Sequence, residues 1–95
     1  MRKITNEAIE AFEGNRNFKS GNTQVVADCT GTYLYLWGNN IARKCGNRLQ
    51  INLCGYNTVT TRERLNGLQG VSLTTRKGQA ILNGQNIPSC EWIQV

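Results

Sequence analysis

The chain has no histidine and only six carboxylates among 95 residues, and each shortage removes a class of function. Without histidine, the side chain best suited to proton transfer near neutral pH is missing, and so is the commonest metal ligand. The carboxylates offer no catalytic pair, since Glu10 and Glu13 are merely neighbours on a helix surface. Gly-x-Ser-x-Gly, the phosphate-binding P-loop and the dinucleotide fingerprint do not occur. A cysteine nucleophile would have no base to activate it. The expectation is a protein that works by binding, is not an enzyme and uses no cofactor and no metal.

Long apolar runs are also missing. Nothing approaches the ~18 residues needed to span a bilayer. The start Met1-Arg2-Lys3 has the charge of a secretory signal but no apolar stretch behind it. The chain is therefore expected in the cytoplasm, with no membrane partner. Cys29, Cys45, Cys54 and Cys90 contain no Cys-x-x-Cys pair. A cytosolic chain keeps thiols reduced, so four free thiols buried as small hydrophobes are expected. Two disulfides, or a zinc ion held by four scattered thiolates, are the alternatives.

What is present reads as one domain over residues 1–95, because so short a chain cannot fill two cores. Thr5 can cap a helix from Asn6 to Glu13 that carries Ala8, Ile9 and Phe12 as an apolar stripe, with Gly14 as its stop. The polar segment Asn15 to Asn22 reads as loop. Strands follow at Thr23 to Asp28, Thr32 to Trp37, Ile41 to Lys44 and Arg48 to Leu53, divided by turns at Thr30-Gly31, Gly38-Asn39-Asn40 and Cys45-Gly46-Asn47. Thr60 lies three residues before Glu63, the pattern of a capping box, and opens a second helix bearing Leu65 and Leu68 that Gly70 ends. Val71 to Arg76 and Gln79 to Leu82 form a hairpin about Lys77-Gly78, Asn83-Gly84 marks a further turn, and Glu91 to Val95 can add an edge strand. This order predicts an α+β fold, an antiparallel meander plus a hairpin, with two short helices packed on the sheet.

Two sets of residues are candidates for recognition. Tyr33, Tyr35 and Trp37 alternate with Leu34 and Leu36, so the aromatic side chains share one face of their strand. Aromatic rows on open sheets stack the bases of single strands. If the next turns are two-residue hairpins, however, Tyr35 lies across from Ala42 and Ala42 from Ile51, which makes the aromatic face part of the core. A one-residue slip reverses that assignment. The second set is basic: Arg43, Lys44 and Arg48 about one turn, Arg62 and Arg64 at the start of the second helix, and Arg76 and Lys77 about another turn. Net charge is +5, and beyond Lys19 the acids are only Asp28, Glu63 and Glu91. Such a balance fits nucleic acid or an acidic protein face, although it also fits a merely soluble surface.

Three stretches carry a resemblance: Asn22-Thr23-Gln24-Val25, then Leu34-Tyr35-Leu36-Trp37-Gly38-Asn39-Asn40-Ile41-Ala42, then Cys54-Gly55-Tyr56-Asn57-Thr58-Val59-Thr60-Thr61-Arg62-Glu63-Arg64-Leu65-Asn66. With a weaker echo at Ile81 to Gly84, the layout resembles a group of small bacteriophage proteins over roughly half the chain, Asn22 to Leu68. The resemblance implies a phage-encoded accessory protein acting in the host bacterial cytoplasm. Such proteins often oppose host defence, which implies an anti-CRISPR inhibitor that binds a host CRISPR-Cas effector complex and blocks target recognition. A small phage nucleic-acid-binding or regulatory protein is the alternative, and a structural or assembly accessory protein the third. The expected contact residues are Arg43, Lys44, Arg48, Arg62, Arg64, Arg76, Lys77, Tyr35 and Trp37, with Tyr33 and Tyr56 as further apolar anchors.

Overall fold

A computed structural model of the chain describes residues 3–46 and 48–95. Its elements are α1 (Lys3–Glu13), β1 (Phe18–Ser20), β2 (Thr23–Asp28), β3 (Gly31–Leu36), β4 (Asn39–Cys45), β5 (Arg48–Ile51), α2 (Val59–Asn66), β6 (Leu73–Arg76), β7 (Gln79–Leu82), β8 (Gln85–Asn86) and β9 (Ile93–Gln94). The fold is α+β, as expected. A six-stranded antiparallel sheet runs β1-β2-β3-β4-β5-β9, and a smaller sheet runs β6-β7-β8. The tail is indeed an edge strand, paired to β5.

Helix α1 starts earlier than its sequence suggests. Thr5 is not its cap but lies inside it, fully buried. Ala8, Ile9, Ala11 and Phe12 form the buried stripe. The left-handed residue that ends the helix is Asn15 (φ 55°) and not Gly14. Asn15 N–H donates to the Phe12 carbonyl and Arg16 N–H to the Ala11 carbonyl, which satisfies two carbonyls of the last turn. Past this stop, the segment expected to be loop contributes β1, which pairs Phe18 with Val25.

Helix α2 is capped by Thr58, whose side chain accepts from Thr61 N–H; Thr60 is within the helix. The helix closes at Gly67, before the expected Gly70. Three two-residue turns, Trp37-Gly38, Lys77-Gly78 and Asn83-Gly84, hold both residues at positive φ. That geometry matches the twist of the strands it joins. It also draws Trp37 out of the strand and into the turn. The turn at Cys45-Gly46-Asn47 includes Asn47, which lies outside the described residues; Cys45 pairs with Arg48 across it.

The core lies between the larger sheet and the helices. Val25, Leu34, Leu36, Ile41, Ala42, Ile51 and Leu53 meet the stripe of α1 and Leu65 and Leu68, and Leu73, Ala80 and Leu82 of the smaller sheet join them. In β3 the leucines are therefore the core face, and the aromatic face is the other one. A bulge decides this. The turn is Trp37-Gly38 and not Gly38-Asn39-Asn40, which sets Tyr35 opposite Asn40, so the expected Tyr35–Ala42 pair does not form; Ile41 is then the extra residue of the bulge, and Leu34 pairs with Ala42. The Ala42–Ile51 pair does form.

Among the described residues no helix is long and apolar enough to cross a membrane.

Candidate functional site

Alternation along the strands gives the larger sheet a second face, turned away from α1 and α2. Cross-strand pairing lines up Val26, Tyr33, Arg43, Gln50 and Gln94 as one row across five strands. A parallel row holds Lys19, Gln24, Tyr35 and Asn40. Tyr33, Tyr35 and Arg43 are half-buried on this face.

Arg43 is the centre of this face. Its Cζ lies 4.0 Å from the centroid of the Trp92 ring. Its Nε donates to Gln50 Oε1 at 2.7 Å. Indole and amide together fix the guanidinium plane, and stacking of this kind contributes about 0.5–1 kcal/mol at a partly exposed site. The hydroxyls of Tyr33 and Thr30 share a hydrogen bond of 2.8 Å at the sheet end. Arg48, exposed opposite Cys45, extends the positive charge along β5.

Asp28 is the sole carboxylate in the strands of this sheet. It takes the Thr30 hydroxyl at 2.5 Å, Thr30 N–H at 2.8 Å and Gly31 N–H at 3.2 Å. The Thr30 hydroxyl, then these amides, hold its carboxyl below the usual value of 3.8. Glu7, Glu10 and Glu13 are on α1, across the sheet.

The remaining expected contacts are dispersed. Lys44 follows Arg43 in sequence and so points to the opposite face, where its Nζ donates to the Phe12 and Glu13 carbonyls at 3.0 and 3.2 Å. It thereby caps the end of α1, where a cation is favoured. Arg62 Nη1 donates to the Asn57 carbonyl at 3.0 Å and Asn57 Oδ1 at 2.6 Å, holding the loop before α2. Arg64 is 1% exposed, so it is an internal cation and not a surface contact. Its Nη1 donates to Glu63 Oε1 at 2.6 Å and Thr5 Oγ1 at 2.5 Å, and its Nε to Thr23 Oγ1 at 3.1 Å. Arg76 and Lys77 are exposed, but on the smaller sheet. Trp37 (51% exposed) and Tyr56 (51%) stand outside the row, in the β3–β4 turn and the loop before α2.

The structure thus brings Tyr33, Tyr35, Arg43 and Arg48 onto one face and leaves Lys44, Arg62, Arg64, Arg76, Lys77 and Trp37 elsewhere. It adds Lys19, Gln50 and Trp92. A signal for Trp92 was available: a β5 partner strand ending the chain at Val95 sets alternate tail residues on the face of Gln50.

Cys29, Cys45 and Cys90 are exposed and Cys54 is partly buried. The expected burial of the thiols does not occur, because three of them stand at turns and strand ends where no core can cover them.

A family model described as Kyanoviridae Gp96 protein matches residues 1–94. The chain belongs to that family. It is accordingly a phage protein, matched over nearly its full length. No curated protein and no solved structure matches it.

Proposed function

We propose that this Kyanoviridae protein acts by binding, without catalysis, and lays a single strand of nucleic acid across the outer face of its larger sheet. The observation that carries this reading is the Tyr33–Arg43–Gln50 row with Trp92 stacked on Arg43, on a face turned away from both helices. Aromatic faces accept any base, and each stacked base contributes about 1–3 kcal/mol. A guanidinium suits phosphate through its forked donors, and Lys19 and Arg48 would follow the backbone on either side. A sheet face with half-buried rings favours unpaired bases over a duplex, whose bases are hidden in their stack.

The narrower expectation, inhibition of a host CRISPR-Cas effector complex, draws on phage origin and is compatible with the same surface. Such a complex carries guide RNA and exposes displaced DNA, and occupying either strand would block target recognition. The small regulatory nucleic-acid-binding protein uses the surface on free strands.

Fluorescence anisotropy with labelled single-stranded RNA and DNA of mixed sequence, and a duplex control, tests the proposal at two salt concentrations. Single strands should bind in preference to duplex, and more weakly at higher salt as released counterions cost more. Tyr33→Ala should weaken binding about 5- to 150-fold, the loss of one stacked base. Wild-type affinity in both Tyr33→Ala and Arg43→Ala would sink it. Affinity capture from the host then separates the two roles, an effector complex for the inhibitor and bulk nucleic acid for the regulator.

A further inference from the structure

The tail that carries Trp92 runs antiparallel to β5. Gln50 stands opposite Gln94 and Ile51 opposite Ile93, while Val95 N–H donates to the Leu49 carbonyl at 2.9 Å. Beyond Ile51 both segments leave the regular ladder. They meet again where Gly55 N–H donates to the Ser89 carbonyl at 2.5 Å. Cys54 and Cys90 each adjoin that hydrogen bond, Cys54 at φ 55° in the turn that Tyr56 N–H closes on the Leu53 carbonyl.

The Ile51–Ile93 pair and the Gly55–Ser89 hydrogen bond thus bracket Cys54 on one segment and Cys90 on the other. A disulfide between them needs a Cα separation of ~4.4–6.8 Å. The thiols also sense one another. Burial, and then the neighbouring Cys90, push the Cys54 thiol above its ordinary value.

We infer that Cys54 and Cys90 form a reversible disulfide that fastens the tail, and Trp92 with it, to the larger sheet. Cys90 is the exposed member, whereas Cys54 is partly buried and donates its S–H to the Asn40 carbonyl at 3.3 Å. The oxidant is a small-molecule disulfide such as oxidised glutathione. The Cys90 thiolate attacks one of its sulfurs, forming a mixed disulfide and releasing one thiolate. Cys54 then gives up its proton and its bond to Asn40, attacks the Cys90 sulfur and releases the second thiolate. Two protein thiols lose two electrons and two protons, and the external disulfide becomes two thiols. Reduced glutathione runs the sequence backwards.

Cys29 and Cys45 offer a comparison within the molecule. Both border the cleft between the β2–β3 turn and the end of β4. The Thr32–Lys44 pairing, continued by one residue, sets Gly31 and not Cys29 opposite Cys45. They are exposed without being in register.

The test uses a Cys29→Ser/Cys45→Ser double variant, in which Cys54 and Cys90 are the remaining thiols, treated with oxidised glutathione. Thiols titrated after unfolding should fall from two to none, with an intact mass lower by two hydrogens and no dimer on a non-reducing gel. The melting temperature should rise and return on adding reductant. Adding Cys54→Ser should trap one glutathione on Cys90. Persistent glutathione adducts, dimers or unreacted thiols in the double variant would overturn the inference. The readout requires no nucleic acid, so it stands or falls apart from the strand-binding reading.

Discussion

Arg43 and Arg64 are the same side chain put to opposite uses. Arg64 lies inside the protein, where Thr5 from α1, Thr23 from β2 and Glu63 from its own helix all meet its guanidinium. The Thr5 hydroxyl also donates to Glu63 at 2.7 Å, and the Thr23 hydroxyl to Asn22 Oδ1 at 2.8 Å. The group joins three elements. Arg43 has a ring above it and one amide beside it, on the sheet face turned away from the helices. A guanidinium whose partners converge from several elements is part of the fold. One that is merely held flat is ready for something else.

The largest effect expected from this contrast is on stability. Arg64→Met removes the cation and leaves Glu63, Thr5 and Thr23 without their common donor, and breaking a buried pair this way typically costs about 3–5 kcal/mol. Arg43→Ala loses its stacking and one hydrogen bond at a partly exposed site, about 1 kcal/mol or less. Urea melts of the two variants measure the difference. Equal losses would break the comparison, since Arg43 would then be as structural as Arg64.

From the sequence, the two arginines could not be told apart. Arg64 stands in a run of charged and polar residues whose helix has only a weak apolar stripe, and nothing local marks which polar side chain turns inward. Its partners Thr5 and Thr23 are 59 and 41 residues away. By contrast, most of the β2 to β5 meander was legible, because alternation and glycine turns are local signals. The side the aromatic face takes turns on a feature no pattern shows. The extra residue Ile41 is apolar, like Ala42 beside it, and the bulge buries both. The split between Arg43 and Lys44 needed only strand alternation, but treating the turn as a single cluster concealed it.

A smaller effect sharpens the position of α2, the helix that carries Arg64. Thr58→Ala should destabilise by about 1 kcal/mol, the usual loss of an N-cap, since the Thr58 hydroxyl receives Thr61 N–H at 3.2 Å. Thr60→Ala should change little, as Thr60 is already within the helix. The sequence spacing of Thr60 and Glu63 predicts the reverse order. Glu63 is occupied with Thr5 and Arg64 and does not reach back as a capping-box partner would. Chemical denaturation of both variants decides which threonine is the cap.

The smallest effect belongs to the outer face and to its one strand carboxylate. Asp28 in the folded protein releases its proton below 3.8, chiefly because the Thr30 hydroxyl and amide favour the ionised form. A depressed folded value means that the unfolded chain binds this proton more readily. The stabilisation is therefore fully present above about 4 and is lost as pH falls through the lower folded value. Because the group is fully exposed, solvent screens the effect and the change in stability should be slight. An NMR titration of the Asp28 carboxyl carbon should show a midpoint below 3.8, and Thr30→Val should bring it back towards that value. Asp28→Asn should abolish the corresponding pH dependence of the melt. A midpoint at the ordinary value would mean that the turn's three hydrogen bonds do not hold in solution. It would also mean that Asp28 faces the Arg43 row as a loose negative charge, and strand binding should then strengthen in Asp28→Asn. With the bonds intact, the carboxylate is already answered by its own turn, and the same substitution should leave strand affinity nearly unchanged.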